Sequence, residues 1–190
     1  MKYNIILADP PWNFSGAGNR HARNHYDCMK FKDILALPVK DIAAENCALF
    51  LWITMPFLNR MNEVLKEWKF KYKTNGFCWV KQEKSGKLSF GNGYYSRANP
   101  ELCILAVKGN MYQHIKHKNV RELIVAPRRE HSRKPDEVRD RIVDLFGDMP
   151  RIELFARQTT PGWDAIGNAI DGKDIRESLM DSIKRGFDGN

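Results

Sequence analysis

Apolar residues fall into two kinds of segment that alternate along the chain. Short continuous runs of Ile, Val, Leu, Phe and Trp favour buried strands. They predict six strands, over residues 3–8, 48–54, 74–80, 102–107, 123–126 and 151–156. Apolar residues repeated every three or four positions favour helices. They predict four helices, over residues 31–44, 58–68, 136–147 and 175–187.

This alternation indicates the fold class. Strands that alternate with helices of about three turns are typical of βαβ units, which place strands side by side and parallel. The sequence therefore predicts an α/β fold with a mostly parallel sheet and helices on both faces. Ligands of such sheets bind at the carboxyl ends of the strands. We expect one main domain over residues 1–171 and a helical tail over 172–190.

Charge and composition narrow the class of partner. The 190 residues include 31 Lys and Arg against 23 Asp and Glu, a formal net charge of +8 that favours an anionic partner such as nucleic acid. The four cysteines lack the spacing of a zinc site or a disulfide framework, so we expect no metal. The chain opens on a predicted strand, without a signal peptide or a membrane span, so we expect a cytoplasmic protein with no membrane partner.

The first predicted strand ends in the candidate catalytic residues Asp9-Pro10-Pro11-Trp12. An exocyclic aromatic amine is a poor nucleophile because its lone pair is delocalised into the ring. The Asp9 carboxylate and the Pro10 carbonyl could accept hydrogen bonds from its two N–H groups and make the nitrogen more nucleophilic. Pro10 and Pro11 stiffen the turn and lack N–H donors. Trp12 offers a face on which a flipped base can stack, although the alternative is that Trp12 belongs to the core.

The tetrapeptide and several later stretches resemble one family of enzymes. The order Asp-Pro-Pro-Trp after a buried strand is similar to the adenine-N6 methyltransferases, which include bacterial and phage DNA enzymes and the catalytic subunit of the eukaryotic messenger-RNA adenosine methyltransferase. The resemblance runs from Tyr3 to about Asp171, and includes the stretches 24–26, 49–52, 93–95, 101–103, 126–128, 130–137, 152–157 and 167–168. It implies a Rossmann-like methyltransferase fold with a permuted motif order, and S-adenosylmethionine as the cofactor.

The resemblance also implies a cofactor site at the carboxyl ends of the strands. Lys134 precedes a helix N-terminus, an environment that favours a carboxylate, and an acid such as Glu153 at a strand end can accept hydrogen bonds from ribose hydroxyls. By resemblance, the cofactor-binding residues are Asp9, Ser132, Lys134, Glu153, Leu154, Phe155, Arg157 and Asn168. Without the family, Glu153 near Arg151 is more often a surface or strand-edge ion pair, and Lys134 is part of a solvated turn.

Three basic runs, over residues 13–30, 71–97 and 108–133, are candidates for contacts with nucleic acid. Cations interleaved with aromatic residues fit phosphate contacts combined with base stacking. The candidates are Arg20, His21, Arg23, Tyr26, Lys81, Tyr94, Tyr95 and Arg97. Each run alone is more often a solvated face, but all three are expected to flank the Asp9 motif.

These expectations combine into one leading function. We expect an S-adenosylmethionine-dependent methyltransferase that acts on the 6-amino group of adenine in DNA, in a bacterial or phage-infected cell. The first alternative is the same reaction on RNA adenosine, and the second is a non-catalytic nucleic-acid-binding subunit of a methyltransferase complex. Both a homodimer and a complex with a partner subunit are compatible with the sequence.

Overall fold

A computed structural model describes residues 2–13, 28–93, 95–130 and 133–187, with side chains up to residue 184. One mixed sheet forms its centre. Its seven strands are β1 (Tyr3–Ala8), β2 (Ala43–Ile53), β3 (Lys71–Gln82), β4 (Glu101–Lys108), β5 (Leu123–Pro127), β6 (Arg151–Leu154) and β7 (Asp164–Ile166). Their order across the sheet is β5-β3-β4-β2-β1-β6-β7. None of the described helices is long and apolar enough to cross a membrane.

Strand directions confirm the predicted parallel character of the sheet. The pairs β1–β2, β1–β6, β3–β5 and β6–β7 are parallel, whereas β4 runs antiparallel to both β2 and β3. The six predicted strands are present with shifted ends. β7 was not predicted, because a strand of three residues carries too little apolar pattern to stand out from the flanking loop.

Six α-helices accompany the sheet in the described part of the chain, besides two short 3-10 helices. They are α1 (Phe31–Leu35), α2 (Val39–Ile42), α3 (Met61–Glu67), α4 (Glu137–Phe146), α5 (Asn168–Asp171) and α6 (Ile175–Phe187). The predicted helix over 31–44 is wrong. Pro38 lacks an N–H donor and disfavours a helical conformation at the residue before it, so two short helices form instead. The chain then enters β2 at Ala43.

The two faces of the sheet bury separate apolar cores. One core contains residues of α1, α2 and α3, and it also buries Ile175 and Leu179 of the C-terminal helix α6. The other contains Val138, Ile142 and Phe146 of α4. Helices therefore cover both faces, as the sequence predicts.

The sheet has two edges at which strands begin or end. The carboxyl-end edge is where β1, β2, β3, β5 and β6 finish, and the antiparallel β4 begins there, at Glu101. The amino-end edge lies at the opposite ends of the same strands. Ligands of α/β sheets bind at the carboxyl-end edge. Asp9, which follows β1, and Glu101, which begins β4, lie at this edge.

Candidate active site

Asp9 stands at the carboxyl-end edge, directly after β1. The strand is flanked on both sides, because Ala8 pairs with Leu51 of β2 and with Leu154 of β6. β1 is fully covered by its neighbours, and Ala8 is 0% exposed. The carboxylate of Asp9 is therefore fixed at the rim of a rigid sheet, where its side chain retains 28% exposure.

Asp9 belongs to a chain of four alternating charges. The Nζ atom of Lys134 lies 2.7 Å from Oδ2 of Asp9 and 3.2 Å from Oε2 of Glu101. The other oxygen of Glu101 lies 2.6 Å from Nζ of Lys81. The Lys134 ammonium also stands 5.4 Å from the ring centroid of Trp52. Lys134 thus links the tetrapeptide to the start of β4.

Burial and neighbouring opposite charges shift the pKa values of these groups in opposite directions. Burial raises the pKa of Asp9 above its ordinary value of 3.8, although Lys134 pulls that pKa down. Burial also opposes ionisation of Glu101, but Lys134 and Lys81 together hold the pKa of Glu101 below its ordinary value. Burial alone would lower the pKa of Lys134, yet the two carboxylates outweigh it and raise that pKa. Lys134 is therefore charged at neutral pH.

Sequence reasoning missed Glu101, whose partners make it central to the site. Glu101 begins β4, and its position at the carboxyl-end edge depends on the antiparallel direction of that strand. A parallel β4 would place its first residue at the opposite edge. The signal in the sequence is an acid at the head of an apolar run, and that signal becomes informative only once the strand direction is known.

Trp12 is buried, which corrects the expected base-stacking role. The side chain is 5% exposed, and its indole N–H donates to the carbonyl oxygen of Trp52 over 3.0 Å. Its ring packs against Phe57 and Phe31, with centroids 5.4 and 6.3 Å away. A stacking platform needs an exposed face, whereas this ring is part of the core. Trp12 instead ties the tetrapeptide to the end of β2.

The two prolines present carbonyl oxygens, as their lack of N–H donors predicts. The Pro10 carbonyl accepts a hydrogen bond from the Trp12 amide over 2.9 Å, and the Pro11 carbonyl accepts one from the Met29 amide over 2.9 Å. A carbonyl oxygen has two lone pairs. Pro10 therefore retains the capacity to accept a second hydrogen bond.

Glu153 forms an ion pair whose partner the sequence did not reveal. Both of its oxygens accept hydrogen bonds from Arg139 of α4, over 2.7 and 2.8 Å. The Arg139 side chain is 10% exposed and also donates to Asp136 over 3.0 Å. The expected neighbour Arg151 pairs instead with Asp148. Arg139 escaped notice because it is a single polar residue on the apolar face of a predicted helix.

The other predicted cofactor residues differ in exposure. Leu154 is 0% exposed in the core, so only its backbone could contact a cofactor. Phe155 follows with a left-handed φ of 63°, a strained conformation for a residue with a side chain.

Arg157 is exposed and close enough to Asp9 to lower the pKa of Asp9. Asn168 is exposed at the start of α5, and Ser132 lies outside the described residues.

The predicted nucleic-acid residues fall into three groups. Arg20, His21, Arg23, Tyr26 and Tyr94 lie outside the described residues. Lys81 is ion-paired with Glu101 inside the site, so its charge is already balanced, contrary to a role as a free phosphate contact. Tyr95 and Arg97 lie on the loop between β3 and β4, where Tyr95 is fully exposed and Arg97 donates to Asn92.

Asn99 closes the base of that loop. Its side-chain oxygen accepts from the Lys81 amide over 2.9 Å, and its side-chain nitrogen donates to the Lys81 carbonyl over 2.9 Å and also to the Ser89 carbonyl. A cleft of about 700 Å³ lies beside this base, lined among others by Trp79, Lys81, Glu101 and Arg129. The loop between β3 and β4, the cleft and Asp9 therefore all lie at the carboxyl-end edge.

The predicted basic runs do not all flank Asp9, which corrects that expectation. β3 crosses the sheet, so Lys71 and Lys73 lie at the amino-end edge while Lys81 lies at the carboxyl-end edge. The segment that follows β4 also begins at the amino-end edge, at Lys108, but β5 begins level with Cys78 in the middle of β3. Only the later part of that run, which includes Arg128 and Arg129, reaches the cleft.

A permuted Rossmann-like α/β sheet with an Asp-Pro-Pro-Trp turn at the end of the interior strand β1 defines a methyltransferase. The family model described as MT-A70 matches residues 3–169. The chain belongs to the MT-A70 family.

Curated relatives agree with this assignment. The chain is 32% identical over 188 residues to the type II methyltransferase M.MunI of Mycoplasma sp, a match that covers 89% of this chain and 78% of that protein. It is 27% identical over 190 residues to the N(6)-adenosine-methyltransferase MT-A70-like protein of Arabidopsis thaliana, covering 97% and 26%. It is 29% identical over 175 residues to the N(6)-adenosine-methyltransferase catalytic subunit METTL3 of Homo sapiens, covering 90% and 29%. The chain thus spans less than a third of the plant and human relatives.

Proposed function

We propose that this methyltransferase transfers a methyl group from S-adenosylmethionine to the 6-amino group of adenine in DNA. The observation that carries the proposal is the position of Asp9. Its carboxylate stands at the end of β1, an interior strand, next to the Pro10 carbonyl and 2.7 Å from Lys134. The site offers acceptors for an amine and a cation for an anionic group within one cluster.

Asp9 and Pro10 prepare the amine. Hydrogen bonds from the two N–H groups of adenine to the Asp9 carboxylate and the Pro10 carbonyl reduce conjugation of the lone pair with the ring. The nitrogen prepared in this way could take up the methyl group that bound S-adenosylmethionine would supply, with the electron pair of the S–C bond remaining on sulfur. The methylated nitrogen would then release one N–H proton to solvent. Charged hydrogen-bond partners of this kind act most strongly in a partly desolvated site.

The residues present fit the cofactor. S-adenosylmethionine supplies an electrophilic methyl group on a positively charged sulfur, together with an amine, a carboxylate and ribose hydroxyls. Asp9 and Glu153 offer carboxylate oxygens for amine and hydroxyl donors, and Lys134, Arg157 and Asn168 offer donors for its oxygens. The side-chain oxygen of Thr54, at the end of β2, is buried without a hydrogen-bond partner among the described residues, which supports a ligand at this edge.

The share of each relative's length that this chain matches favours DNA over RNA as the substrate. The bacterial type II relative is covered over most of its length, whereas the adenosine methyltransferases extend far beyond the region matched here. Three exposed cations on the loop between β3 and β4 support contacts with backbone phosphates: Lys84, which lines the cleft, Lys87 and Arg97. Phosphate contacts alone do not distinguish DNA from RNA.

Labelled methyl transfer tests this proposal. Wild type, Asp9→Ala and the surface control Asp41→Ala on α2 are incubated with labelled S-adenosylmethionine and either DNA or RNA, and the products are digested to nucleosides. We expect N6-methyladenine in DNA, a loss of more than about 100-fold for Asp9→Ala, and unchanged activity for Asp41→Ala. Transfer that survives Asp9→Ala would contradict the role of this carboxylate.

Two outcomes would favour the alternatives. Faster transfer to RNA than to DNA of the same sequence would make RNA adenosine the substrate. Cofactor binding without transfer to either polymer would favour a non-catalytic or partner-dependent subunit of a methyltransferase complex.

A further inference from the structure

One face of the sheet lies open where β5 pairs with β3. Along these two strands, alternate side chains such as Trp79 and Ile124 enter the core that contains α4. The side chains between them point to the opposite face, where Val80 lies beside Val125 and Leu123 comes two residues earlier. Leu123 and Val125 are 52% and 48% exposed. In the described part of the chain, the helices of the other core therefore leave this corner of the sheet uncovered.

The turn that follows β3 extends this face. Leu88 forms an antiparallel bridge with Gln82, which lies on the same side of β3 as Val80. Burial then alternates, because Leu88 and Phe90 are 49% and 66% exposed while Ser89 between them is 3% exposed. The exposed apolar residues of the turn thus continue those of the strands. Together they form the open apolar face, which consists of Val80, Leu88, Phe90, Leu123 and Val125.

The free edge of β5 is already covered, although an edge strand usually offers backbone groups to another strand. Arg141 of α4 donates to the carbonyl oxygen of Arg121 and, over 2.8 Å, to that of Leu123. These carbonyls point away from β3, since the Glu122 carbonyl between them accepts from the Cys78 amide. A partner of this region therefore packs against the open apolar face and does not add a strand to the sheet.

Opposite charges stand at the two ends of the open apolar face. Glu122 precedes β5 and is close enough to Cys78 to raise the pKa of the Cys78 thiol. At the other end, Lys87 accepts a backbone hydrogen bond from Glu83 across the turn and is therefore level with that residue. Glu122 and Lys87 are both exposed, and neither forms an ion pair with any described residue.

We propose that the open apolar face joins two copies of this chain in a symmetric dimer, with Glu122 of each copy against Lys87 of the other. Glu122 is three residues before the level of Val80 and Val125, and Lys87 is three residues beyond it. A two-fold axis that lies in the interface at that level exchanges the two ends of the face. The acid then meets the cation on both sides of an apolar centre, whereas charges of one sign at both ends would repel a second copy.

The area of the face agrees with a dimer interface. Four of its side chains, all except Val80, are about half exposed or more. They present roughly 400 Å², within the size range at which an exposed apolar patch is often functional. A stable interface buries about 800 Å² on each partner, of which a little more than half is apolar. The open apolar face supplies most of that apolar part, and its charged ends belong to the polar rim.

Sedimentation equilibrium of the full chain at low salt measures the dimer Kd. Wild type should sediment at twice the chain mass of 22.1 kDa. A face variant carries Leu123→Thr and Val125→Thr, at two exposed positions of β5. The control carries Tyr112→Ser and Met180→Gln, at positions 71% and 46% exposed on the connection after β4 and on α6. The face variant should weaken the dimer at least about 30-fold while the control leaves Kd unchanged, and both should keep the circular dichroism of wild type.

A charge exchange tests the two-fold arrangement. Glu122→Lys or Lys87→Glu alone brings like charges together, so each should raise the dimer Kd about tenfold at low salt. The double variant restores an opposite pair with reversed sign, and its Kd should return to within about threefold of wild type. High salt should reduce the effect of each single substitution.

Four results would overturn the proposal. A wild-type protein that stays monomeric would exclude the dimer, and a Kd insensitive to the face variant would place the interface elsewhere. Weakening that simply adds up in the charge-exchange double variant would contradict the pairing of Glu122 with Lys87. Monomeric wild type that binds phosphatidylcholine vesicles, with binding lost in the face variant, would assign the face to lipid. None of these measurements depends on methyl transfer, so the dimer is tested independently of the proposed activity.

Discussion

Asp9 lies at one end of the chain of charges, with Lys134 next to it and Glu101 beyond Lys134, and both groups influence its protonation. Burial raises its pKa, Lys134 lowers it, and Glu101 raises it. A carboxylate that accepts hydrogen bonds from an amine must be ionised. The chain of charges from Lys81 through Glu101 and Lys134 to Asp9 therefore adjusts the pH range in which the proposed reaction proceeds.

The pH profile of methyl transfer should reveal these neighbours. In wild type, we expect kcat to fall on the acid side at a pH above 3.8, the ordinary pKa of Asp. Lys134→Met removes the cation that lowers the pKa of Asp9, so the acid limb should move to higher pH. Glu101→Gln removes a negative charge and should move it to lower pH. The profiles are measured at saturating cofactor, with the exposed Lys32→Met as control, and acid limbs that coincide in all four proteins would contradict the coupling.

The α4 helix illustrates how charge organises an element. Asp136 precedes the helix and makes no side-chain capping bond. It instead accepts from Arg129 over 2.6 Å and also pairs with Arg133 and Arg139. Arg139 in turn fixes Glu153 at the end of β6. The helix start, the loop before it and the strand end are thus joined by one network.

Removal of Asp136 should weaken the fold in a pH-dependent way. The hydrogen bond from Arg129 and the nearby arginines lower its pKa from 3.8 to about 2. A depressed pKa means that the carboxylate stabilises the fold above 3.8 and that this contribution is lost as pH falls through about 2. Because the side chain is half exposed, we expect Asp136→Asn to lose only about 0.5–1 kcal/mol at pH 7 in urea unfolding. The difference from wild type should shrink with acid, and a constant difference would contradict this origin.

Close packing of backbone joins β6, β7 and α5. A Cβ atom at Gly167 would lie 2.3 Å from the carbonyl oxygen of Ala156 and 2.8 Å from its nitrogen. These are backbone atoms of a buried residue, so they cannot move aside as a flexible side chain could. The segment that presents Asn168 is therefore built around a glycine.

Gly167→Ala should be strongly destabilising. We expect a loss of about 2–4 kcal/mol in the free energy of unfolding, because the backbone of β6 and β7 must separate. Gly172→Ala is the matched control: its φ is 73°, but nothing lies within 4 Å of the added atom, so only about 1 kcal/mol of backbone strain is expected. Denaturant unfolding of both variants measures the difference, and equal losses would refute the steric explanation.

At the scale of the whole molecule, the C-terminal helix is integrated into the fold. The predicted boundary at residue 171 separates a domain from a tail, but Leu179 of α6 is 0% exposed in the core shared with α1, α2 and α3. The neighbouring Met180 is 46% exposed. We propose that residues 172–184 stabilise the domain and do not form an independent tail.

Two adjacent substitutions test this integration. Leu179→Ala should lower the free energy of unfolding by about 2–4 kcal/mol, since it leaves a cavity in a packed core. Met180→Ala should change it by less than about 1 kcal/mol. Denaturant unfolding with one cooperative transition is expected for both. A negligible effect of Leu179→Ala would support the predicted separate tail.

The sequence by itself determined the α/β class, six of the seven strands and the place of Asp9 at a strand end, because apolar periodicity and proline chemistry are local properties. It did not determine which side chains meet. The antiparallel direction of β4 brings Glu101 to Lys134, the packing of Phe31 and Phe57 buries Trp12, and α4 presents Arg139 to Glu153. Because β3 runs from one edge of the sheet to the other, it separates Lys71 and Lys73 from Lys81, although these residues are close in sequence. Those outcomes arise from contacts between residues distant along the chain, which only the tertiary structure brings together.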